Sequence, residues 1–376
     1  MTKIAMIGGG VIGLSIAYEM SKRNHEVILL EKDQVGRKAS WAGAGIITPA
    51  NLSTAIHPLE KLEAISSDLH RVWSSELKTQ TGIDNGYTQS GGLYVARSAG
   101  ELASLAGAIQ HWEERQIEFE IVDASRYSDL VPGNPIAAKA KSVFVPSETQ
   151  IRNPHHLQAL LNACIDNGVQ IVEGGQEIEL VVEGQQTIYA RVGSQRIAAE
   201  KFCLVCGPWT EQLATPFQVS LPTTPVRGQM VLFKLPARLF APIINEGSRY
   251  LVPRSDGHVL AGSTIDEVGF NTNIELADVE ELKRWANSLV AECNEQSFVK
   301  AWAGLRPGTY DGFPYLGWIG RSHNTLVATG HFKSGLQLST GTAVVIADLL
   351  EDKTPPIDLT PFSPARAEFH QSTETT

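Results

Sequence analysis

Cysteine is scarce in this sequence, with four residues among 376: Cys164, Cys203, Cys206 and Cys293. So few scattered thiols exclude the disulfide framework of a small secreted protein. Cys203 and Cys206 lie three positions apart in an apolar run that predicts a strand, so their side chains are expected on opposite faces. Neither a shared metal ion nor a disulfide bond fits that arrangement. We predict buried structural cysteines and no metal site.

Excess positive charge and long apolar runs are also lacking. The net charge is −10 and no basic stretch is present, which argues against a nucleic-acid or anionic-membrane partner. No apolar run reaches the roughly 18 to 20 residues that span a bilayer. The apolar stretch from Ile4 to Ala17 is interrupted by glycines, unlike a signal peptide. We therefore expect a cytoplasmic protein whose partner is a small molecule.

What the sequence does contain is a glycine pattern near its start, Gly8-x-Gly10-x-x-Gly13, between a predicted strand and a predicted helix. In that context the glycines permit a tight turn and let a pyrophosphate approach the positive end of the helix. Glu31 ends the next predicted strand, where its carboxylate can accept hydrogen bonds from ribose hydroxyls. The pattern predicts a bound adenine dinucleotide and leaves NAD and FAD open.

Helix and strand patterns alternate along the chain, which favours an α/β fold interrupted by insertions. Asn153 is expected to cap a helix whose first position is Pro154. The region from Pro225 to Thr264 is instead rich in strand patterns. Other predicted strands cover 3–7, 27–31, 169–172, 177–182, 187–192, 202–207 and 325–330. Predicted helices cover 11–23, 279–293 and 336–350, and three more begin near Leu59, Glu101 and Asn153.

Several further segments rich in small residues suggest close contact between backbone and ligand. They are "ASWAGAGI", "VCGPWT" and "ATGHFKSGLQLSTGTA". Together with "IGGGVIGLSIAYEM", "RYLVPR" and "AWAGLRPGTYDGFPYLG", they make the chain resemble the D-amino-acid oxidase and glycine oxidase family of FAD enzymes. Within that family the chain is most similar to the bacterial glycine oxidases linked to thiazole biosynthesis. The matching segments are spread over nearly the whole sequence.

The resemblance implies a Rossmann-like FAD-binding domain of the glutathione-reductase type, together with a substrate-binding domain built on an antiparallel sheet with helices. The FAD-binding domain is expected to be discontinuous, formed by residues 1–80, 140–220 and 300–365. Residues 81–139 and 221–299 are assigned to the substrate-binding domain, and 366–376 to a flexible tail.

The resemblance also implies non-covalent FAD, with no cysteine in a matched flavin segment. Its adenosine half is expected near Gly8 and Glu31, and its ring between Ser40 to Gly45 and Gly330 to Gln337. His331 is expected either to tune the flavin or to be a hydrogen-bonded structural residue. The cofactor-binding residues implied are Gly8, Gly10, Val11, Ile12, Gly13, Glu31, Lys32, Ser40, Ala42, Gly43, Gly45, Ile46, Glu177, Gly207, Trp209, Arg306, Gly330, His331, Lys333, Ser334, Gly335, Leu336 and Gln337.

Four residues are implied at the substrate. Arg306 matches the arginine that binds the substrate carboxylate, and Tyr250 matches a tyrosine that assists it. Lys333 stands where the family usually has arginine, and Ile265 stands where a methionine lines the pocket. Ser248 replaces a histidine. These departures leave open whether glycine, sarcosine or a short D-amino acid is preferred.

The reaction implied is oxidative deamination. A hydride leaves the α-carbon of the neutral amine for FAD without an obligatory side-chain acid or base, and the imine hydrolyses to a 2-oxo acid and ammonia. Molecular oxygen is then reduced to hydrogen peroxide. Two alternatives stay open: a flavin-dependent D-amino-acid dehydrogenase that passes electrons to a quinone or carrier, and a non-catalytic dinucleotide-binding module. The resemblance further implies a homo-oligomer and a possible transfer of the imine to thiazole synthase.

Overall fold

The computed structural model describes residues 1–134 and 140–366. The predicted flexible tail at 366–376 lies outside the described residues except for Arg366, and so do the last five positions of the segment 81–139. The described α-helices are Val11–Lys22, Ala39–Ala42, Pro58–Thr81, Ala99–Glu114, Ala124–Leu130, Asn153–Asp166, Thr210–Ala214, Leu276–Leu289 and Ser339–Leu350. Short 3-10 helices cover Gly207–Trp209, Thr215–Phe217, Phe332–Ser334 and Thr360–Phe362. None of the described helices is both long enough and apolar enough to cross a bilayer.

A six-stranded sheet carries the predicted βαβ unit. Its strand order is Tyr315–Trp318, Thr325–Thr329, Lys201–Leu204, Lys3–Ile7, Glu26–Leu30 and Gln170–Val172. All neighbouring strands are parallel except the first pair. Successive residues of the first strand, such as Met6 and Ile7, point to opposite faces and belong to separate apolar cores. Burial on both faces explains why these strands are almost continuously apolar.

An eight-stranded, mostly antiparallel sheet forms the second half of the molecule. Its order is Phe298–Gly308, Thr224–Lys234, His258–Gly262, Arg249–Pro253, Ile243–Glu246, Gly92–Ala96, Lys141–Val145 and Glu120–Val122. The helix Leu276–Leu289 buries Leu282 and Trp285 in the apolar core on one face of this sheet. The pairing of the two longest strands sets Val226 opposite Arg306, which fixes the position of that arginine.

Two small sheets complete the fold. One contains Ile178–Glu183, Gln186–Val192 and Gln195–Ile197, and the other contains Ile46–Ile47, Thr149–Gln150 and Thr88–Gln89. The α/β architecture with a Rossmann-like sheet and a largely antiparallel second sheet agrees with the predicted fold class. Two strands, Lys141–Val145 and Phe298–Gly308, lie in the eight-stranded sheet although the predicted division assigns most of their residues to the FAD-binding domain.

Several predicted element ends differ from the structure. The helix predicted over 336–350 begins only at Ser339, because the preceding segment forms a 3-10 turn over Phe332–Ser334. The helix predicted over 279–293 instead covers Leu276–Leu289 and stops at Val290, whose backbone is extended. Asn153 does not cap its helix, because it is already the first helical residue and Arg152 occupies the cap position.

All four cysteines are free thiols. Cys203 belongs to the core on one face of the six-stranded sheet, and Cys206 packs against the core on the other face. The predicted opposition of these two side chains is therefore confirmed. Cys164, Cys203 and Cys293 are buried, but Cys206 is only partly buried, because the strand ends at Leu204 and Cys206 already lies at the edge of a cavity.

Candidate active site

The glycine turn after the first strand forms one end of a large cavity. Gly8 has φ +118°, which disfavours any residue with a side chain. A Cβ on Gly13 would overlap the carbonyl oxygen of Gly8, so the helix Val11–Lys22 lies too close to the turn for alanine. The amide of Val11 donates to Ser40 Oγ at 2.9 Å, which joins the turn to the next loop. Both glycines are thus required by local geometry.

Glu31 lies beside this turn with both carboxylate oxygens already oriented. Oε2 accepts from the amide of Gly9 at 2.7 Å, and Oε1 accepts from the amide of Asp33 at 2.9 Å. Each oxygen keeps a second lone pair that can accept from a hydroxyl group. In the described ranges 1–134 and 140–366, no cationic side chain lies within 4.0 Å of Glu31. The carboxylate is therefore available to a ligand that carries hydroxyl donors.

The cavity has a volume of about 870 Å³ and extends from the glycine turn to the eight-stranded sheet. Most of the residues predicted to bind cofactor or substrate line it. They are Gly8, Gly10, Val11, Ile12, Glu31, Lys32, Ser40, Ala42, Gly43, Gly45, Ile46, Glu177, Gly207, Trp209, Tyr250, Arg306, His331, Lys333, Gly335 and Leu336. The fold thus gathers residues that are up to about three hundred positions apart in sequence onto one surface.

Five predicted site residues do not line the cavity: Gly13, Ile265, Gly330, Ser334 and Gln337. Gly13 supports the turn from behind, and the side-chain Nε2 of Gln337 donates to Thr48 Oγ1 at 2.8 Å. Ile265 is 45% exposed. Its segment has already left the sheet and is bridged through Asp266 to Arg227, so the chain reaches the cavity at Ser263 instead.

The loop of small residues from Ser40 to Ile46 forms the middle of the cavity wall. Gly45 has φ +76°, and a Cβ there would overlap the carbonyl oxygen of Ile151. Arg254, which is 9% exposed, holds the loop by donating to the carbonyls of Ala44 at 2.6 Å and Ile151 at 3.1 Å. Burial lowers the pKa of this guanidinium to about 10, so it stays charged. Sequence reasoning did not single out Arg254 individually.

Asn153 is a second residue that sequence reasoning did not assign to the site. Its Nδ2 donates to the carbonyl of Ser40 at 2.7 Å, and its side chain lines the cavity. Its Oδ1 is buried and has no hydrogen-bond partner in the described part of the chain. A buried acceptor without a partner is destabilising. A Cβ on Gly45 would overlap this oxygen, so Oδ1 faces that glycine, and Asn153 contributes to the site through the bond that holds the carbonyl of Ser40.

Arg306 marks the other end of the cavity. Its Nη2 donates to Ser263 Oγ at 2.7 Å and its Nη1 to the carbonyl of Thr264 at 3.2 Å. A Cβ on Gly228 would overlap the guanidinium, so only glycine leaves room for it on the neighbouring strand. Tyr250 lies in the same wall, with its hydroxyl 3.4 Å from the sulfur of Met230. A planar cation and a phenol thus face one cavity.

His331 and Lys333 lie in the loop that closes this end. His331 is 4% exposed, and its Nε2 is 3.1 Å from Thr342 Oγ1. Burial lowers the pKa of His331 to about 3, so its ring is neutral near pH 7. The bond to Thr342 agrees with the structural role considered for His331, and its place in the cavity wall leaves the flavin-tuning role a prediction. Lys333 is exposed at the rim of the cavity. Its pKa is lowered, mainly because its amine is partly desolvated and secondly because the positive charge of Arg306 is near.

No cluster of three or more histidine, cysteine or acidic residues suited to a metal ion occurs in residues 1–134 and 140–366.

Residues 3–349 match the family described as FAD dependent oxidoreductase (DAO). The chain belongs to this family of FAD dependent oxidoreductases. Its cofactor is therefore FAD. The glycine turn and Glu31 alone had left the choice between NAD and FAD open.

Several known proteins are similar to the chain over nearly its whole length. Glycine oxidase from Pseudomonas putida is 31% identical over 363 residues, which cover 96% of this chain and 98% of the relative. The crystal structure of glycine oxidase from Geobacillus kaustophilus superposes with a TM-score of 0.90 at 30% identity and covers 97% of this chain and 99% of that chain. The bifunctional protein ThiO/ThiG of Nostoc sp. is 29% identical, and the match covers 98% of this chain but 56% of the relative.

The observed cavity fits the cofactor of this oxidoreductase family. Bare backbone at Gly8 and Gly10 can receive a pyrophosphate, and Glu31 can accept from ribose hydroxyls. The small-residue loop from Ser40 to Ile46 lines the same cavity, where the middle of an extended dinucleotide would pass. The elements that hold the adenosine half and the middle of the cofactor are therefore present.

Proposed function

We propose that the chain catalyses the oxidative deamination of glycine or other small amino acids, such as sarcosine or short D-amino acids. The observation that carries this proposal is Arg306, which lines the cofactor cavity and has no carboxylate within 4.0 Å in the described part of the chain. A half-buried guanidinium without a counter-ion is suited to a ligand carboxylate. The two glycine oxidases that match almost the whole chain support the same reaction class.

In the proposed reaction, Arg306 and Tyr250 hold the substrate carboxylate and thereby orient the α-carbon toward the middle of the cavity. FAD supplies the two-electron acceptor when it is bound. The substrate loses a hydride from its α-carbon and a proton from its nitrogen, which gives an imine. Water then hydrolyses the imine to a 2-oxo acid and ammonia, or methylamine where the substrate is sarcosine, while molecular oxygen takes up two electrons and two protons to form hydrogen peroxide.

The chain's own groups favour a neutral amine rather than a side-chain base. The acidic residues in the cavity wall are Glu31, Asp33, Glu177 and Glu179, and all belong to the segments around the dinucleotide end. His331 is neutral but already engaged with Thr342. Orientation by Arg306 is therefore the main contribution of the chain at the reacting carbon.

The decisive experiment is an absorbance spectrum of the purified protein, followed by anaerobic addition of glycine, sarcosine or D-alanine. We expect a flavin spectrum that bleaches with at least one of these amines and recovers in air with release of hydrogen peroxide. Bleaching that recovers only with a quinone or dye would identify a dehydrogenase instead. A flavin spectrum that none of the amines bleaches would contradict amino-acid oxidation altogether.

We also propose that the imine is passed to thiazole synthase, and that the chain forms a homo-oligomer in the cytoplasm. The ThiO/ThiG relatives support the transfer, since the region they share with this chain is joined to a further segment of nearly equal length. The test is to add thiazole synthase to the reaction with glycine. Free glyoxylate should then decrease relative to peroxide, and an unchanged ratio would contradict the transfer.

A further inference from the structure

The cavity wall contains four cationic side chains, of which two form ion pairs with carboxylates and two do not. Lys32 pairs with Glu177 at 2.5 Å, and Lys38 pairs with Asp33 at 2.7 Å. Arg306 and Lys333 also line the cavity, but neither has a carboxylate within 4.0 Å among residues 1–134 and 140–366. The two cations at the dinucleotide end are thus neutralised by the protein, and the two at the substrate end are not.

The acidic residues of the wall do not change this imbalance. Glu31 lies at the glycine turn, and Glu179 pairs with Arg191 on the small sheet that covers the same end. The substrate end therefore carries two positive charges with no counter-ion from the part of the chain that the structure describes. These charges influence each other, since Arg306 contributes to the lowered pKa of Lys333. A ligand with one negative charge would neutralise only half of this positive charge.

We infer that the preferred substrates of this site are amino acids that carry a second carboxylate, with one carboxylate bound by Arg306 and the other by Lys333 at the rim. This inference rests on the proposed amino-acid oxidation. Arg306 is fixed by Ser263 and Thr264, so it suits the carboxylate that must be held in one orientation. Lys333 is an exposed point charge on a flexible stem, which suits a second carboxylate of variable reach.

The residue at position 248 is compatible with a longer substrate. Ser248 lines the cavity next to the strand of Tyr250, and it is small and exposed. A second carboxylate could branch from the α-carbon side chain, as in D-aspartate, or from the nitrogen, as in iminodiacetate. Both probes share the chemistry of an amine between two carboxylates, and they place the second charge differently.

The first test compares substrates that differ mainly in the second charge. D-Aspartate is compared with D-asparagine, and iminodiacetate with sarcosine, by kcat/KM at low ionic strength. We expect the dicarboxylate of at least one pair to be preferred by on the order of fivefold, a preference that declines as salt is raised. Equal or lower kcat/KM for both dicarboxylates would overturn the inference.

The second test replaces the rim cation. Lys333→Met should bring the dicarboxylate preference close to unity, and Lys333→Arg should retain it. Lys300→Met is the matched control, since Lys300 is an exposed lysine on the same strand as Arg306 that lies over Trp41 and Trp302 and does not line the cavity. It should keep the wild-type preference. A preference that survives Lys333→Met unchanged would contradict the role assigned to Lys333.

A binding measurement provides a readout independent of turnover. Malonate and acetate differ in one carboxylate and cannot be oxidised as amines. Calorimetric titration should show tighter binding of malonate, with the difference lost in Lys333→Met. Oxidation of sarcosine or D-asparagine without any dicarboxylate preference would overturn this inference and leave the proposed function intact. Absence of oxidation with all amines, despite bound flavin, would instead defeat the proposed function.

Discussion

At the scale of single residues, two arginines without an acidic partner in the described ranges define the site. Arg306 reaches the cavity from the eight-stranded sheet and is held by uncharged groups only. Arg254 is more deeply buried and donates to the carbonyl of Ala44 in the small-residue loop and to that of Ile151 beside it. The first leaves charge available to a ligand, whereas the second shapes the wall against which the cofactor lies.

Replacing Arg306 should impair substrate binding. Arg306→Ala removes the cation proposed to bind the carboxylate, so the KM for glycine should rise on the order of 30-fold or more, which corresponds to the lower part of the range of about 2 to 5 kcal/mol for such pairs. Steady-state peroxide release measures this. Arg126→Ala, which removes an exposed pair with Glu120 and a contact with the Phe144 ring outside the cavity, serves as the control and should leave KM unchanged. An unaltered KM in Arg306→Ala would remove this residue from the site.

Replacing Arg254 should weaken cofactor binding. Arg254→Met keeps much of the side-chain volume but leaves the carbonyls of Ala44 and Ile151 without their donor. The dissociation constant of FAD should rise on the order of tenfold, measured by titration of apoprotein with FAD. Arg238→Met is matched to it, because Arg238 bonds the carbonyls of Phe240 and Ala241 outside the cavity. Equal affinities in both variants would show that Arg254 does not shape the cofactor loop.

At the scale of elements, the helix Val11–Lys22 packs so closely against the glycine turn that position 13 has no room for a side chain. Gly13 lies inside this helix, where glycine normally destabilises by roughly 0.5 to 1 kcal/mol relative to alanine. It is retained because the helix contacts the carbonyl of Gly8. Close packing of helix and turn takes precedence over helix propensity here.

Two glycine-to-alanine variants test this interpretation. Gly13→Ala should lower the midpoint of thermal unfolding and reduce FAD content, because a Cβ cannot fit against Gly8. Gly107→Ala lies within the helix Ala99–Glu114 and meets no atom within 4 Å. It should therefore stabilise by up to about 1 kcal/mol. Calorimetry and the flavin absorbance per protein report both effects, and equal behaviour of the two variants would contradict the packing argument.

The βαβ unit could be predicted from sequence because its signals are local: an apolar strand, glycines and an acidic strand end. Arg254 and Asn153 could not be assigned, since their roles depend on which distant segments meet, and a buried arginine is indistinguishable from a surface one in the sequence. The same limit applies to Ile265, whose exposure follows from the bridge between Arg227 and Asp266. Strand partners in the eight-stranded sheet were likewise inaccessible, because Phe298–Gly308 pairs with a strand about 70 positions earlier.

At the scale of the whole molecule, buried histidines join the helices to the loop at the substrate end. His70 donates through Nε2 to the carbonyls of Leu336 and Gln337 at 2.9 and 3.0 Å. His156 has its ring centroid 5.7 Å from that of His70, and its Nδ1 accepts from Asn85 Nδ2. Burial lowers the pKa of His70 to about 4 and that of His156 to about 3. Both rings are therefore neutral in the folded protein near pH 7.

This burial makes stability depend on pH in a defined direction. Below about pH 6.5 the unfolded chain binds protons on these histidines and the folded chain does not, so stability is lost as the pH falls toward the native pKa values. Glu148 acts in the opposite sense, because burial raises its pKa to about 7 and the folded chain retains its proton where the unfolded chain has lost it. The total slope therefore mixes both effects, and a single-residue comparison is needed.

His156→Gln isolates one histidine. We expect the stability advantage of the wild-type chain over this variant to shrink by about 2 kcal/mol between pH 7.5 and pH 5.0, since one proton is worth about 1.4 kcal/mol per pH unit below the unfolded pKa. Urea unfolding of the FAD-saturated protein at both pH values measures it. His111→Gln, an exposed position on the helix Ala99–Glu114, should show no comparable change. An advantage that is the same at both pH values would mean that His156 is protonated in the folded chain, which its enclosure between two helices and Asn85 argues against.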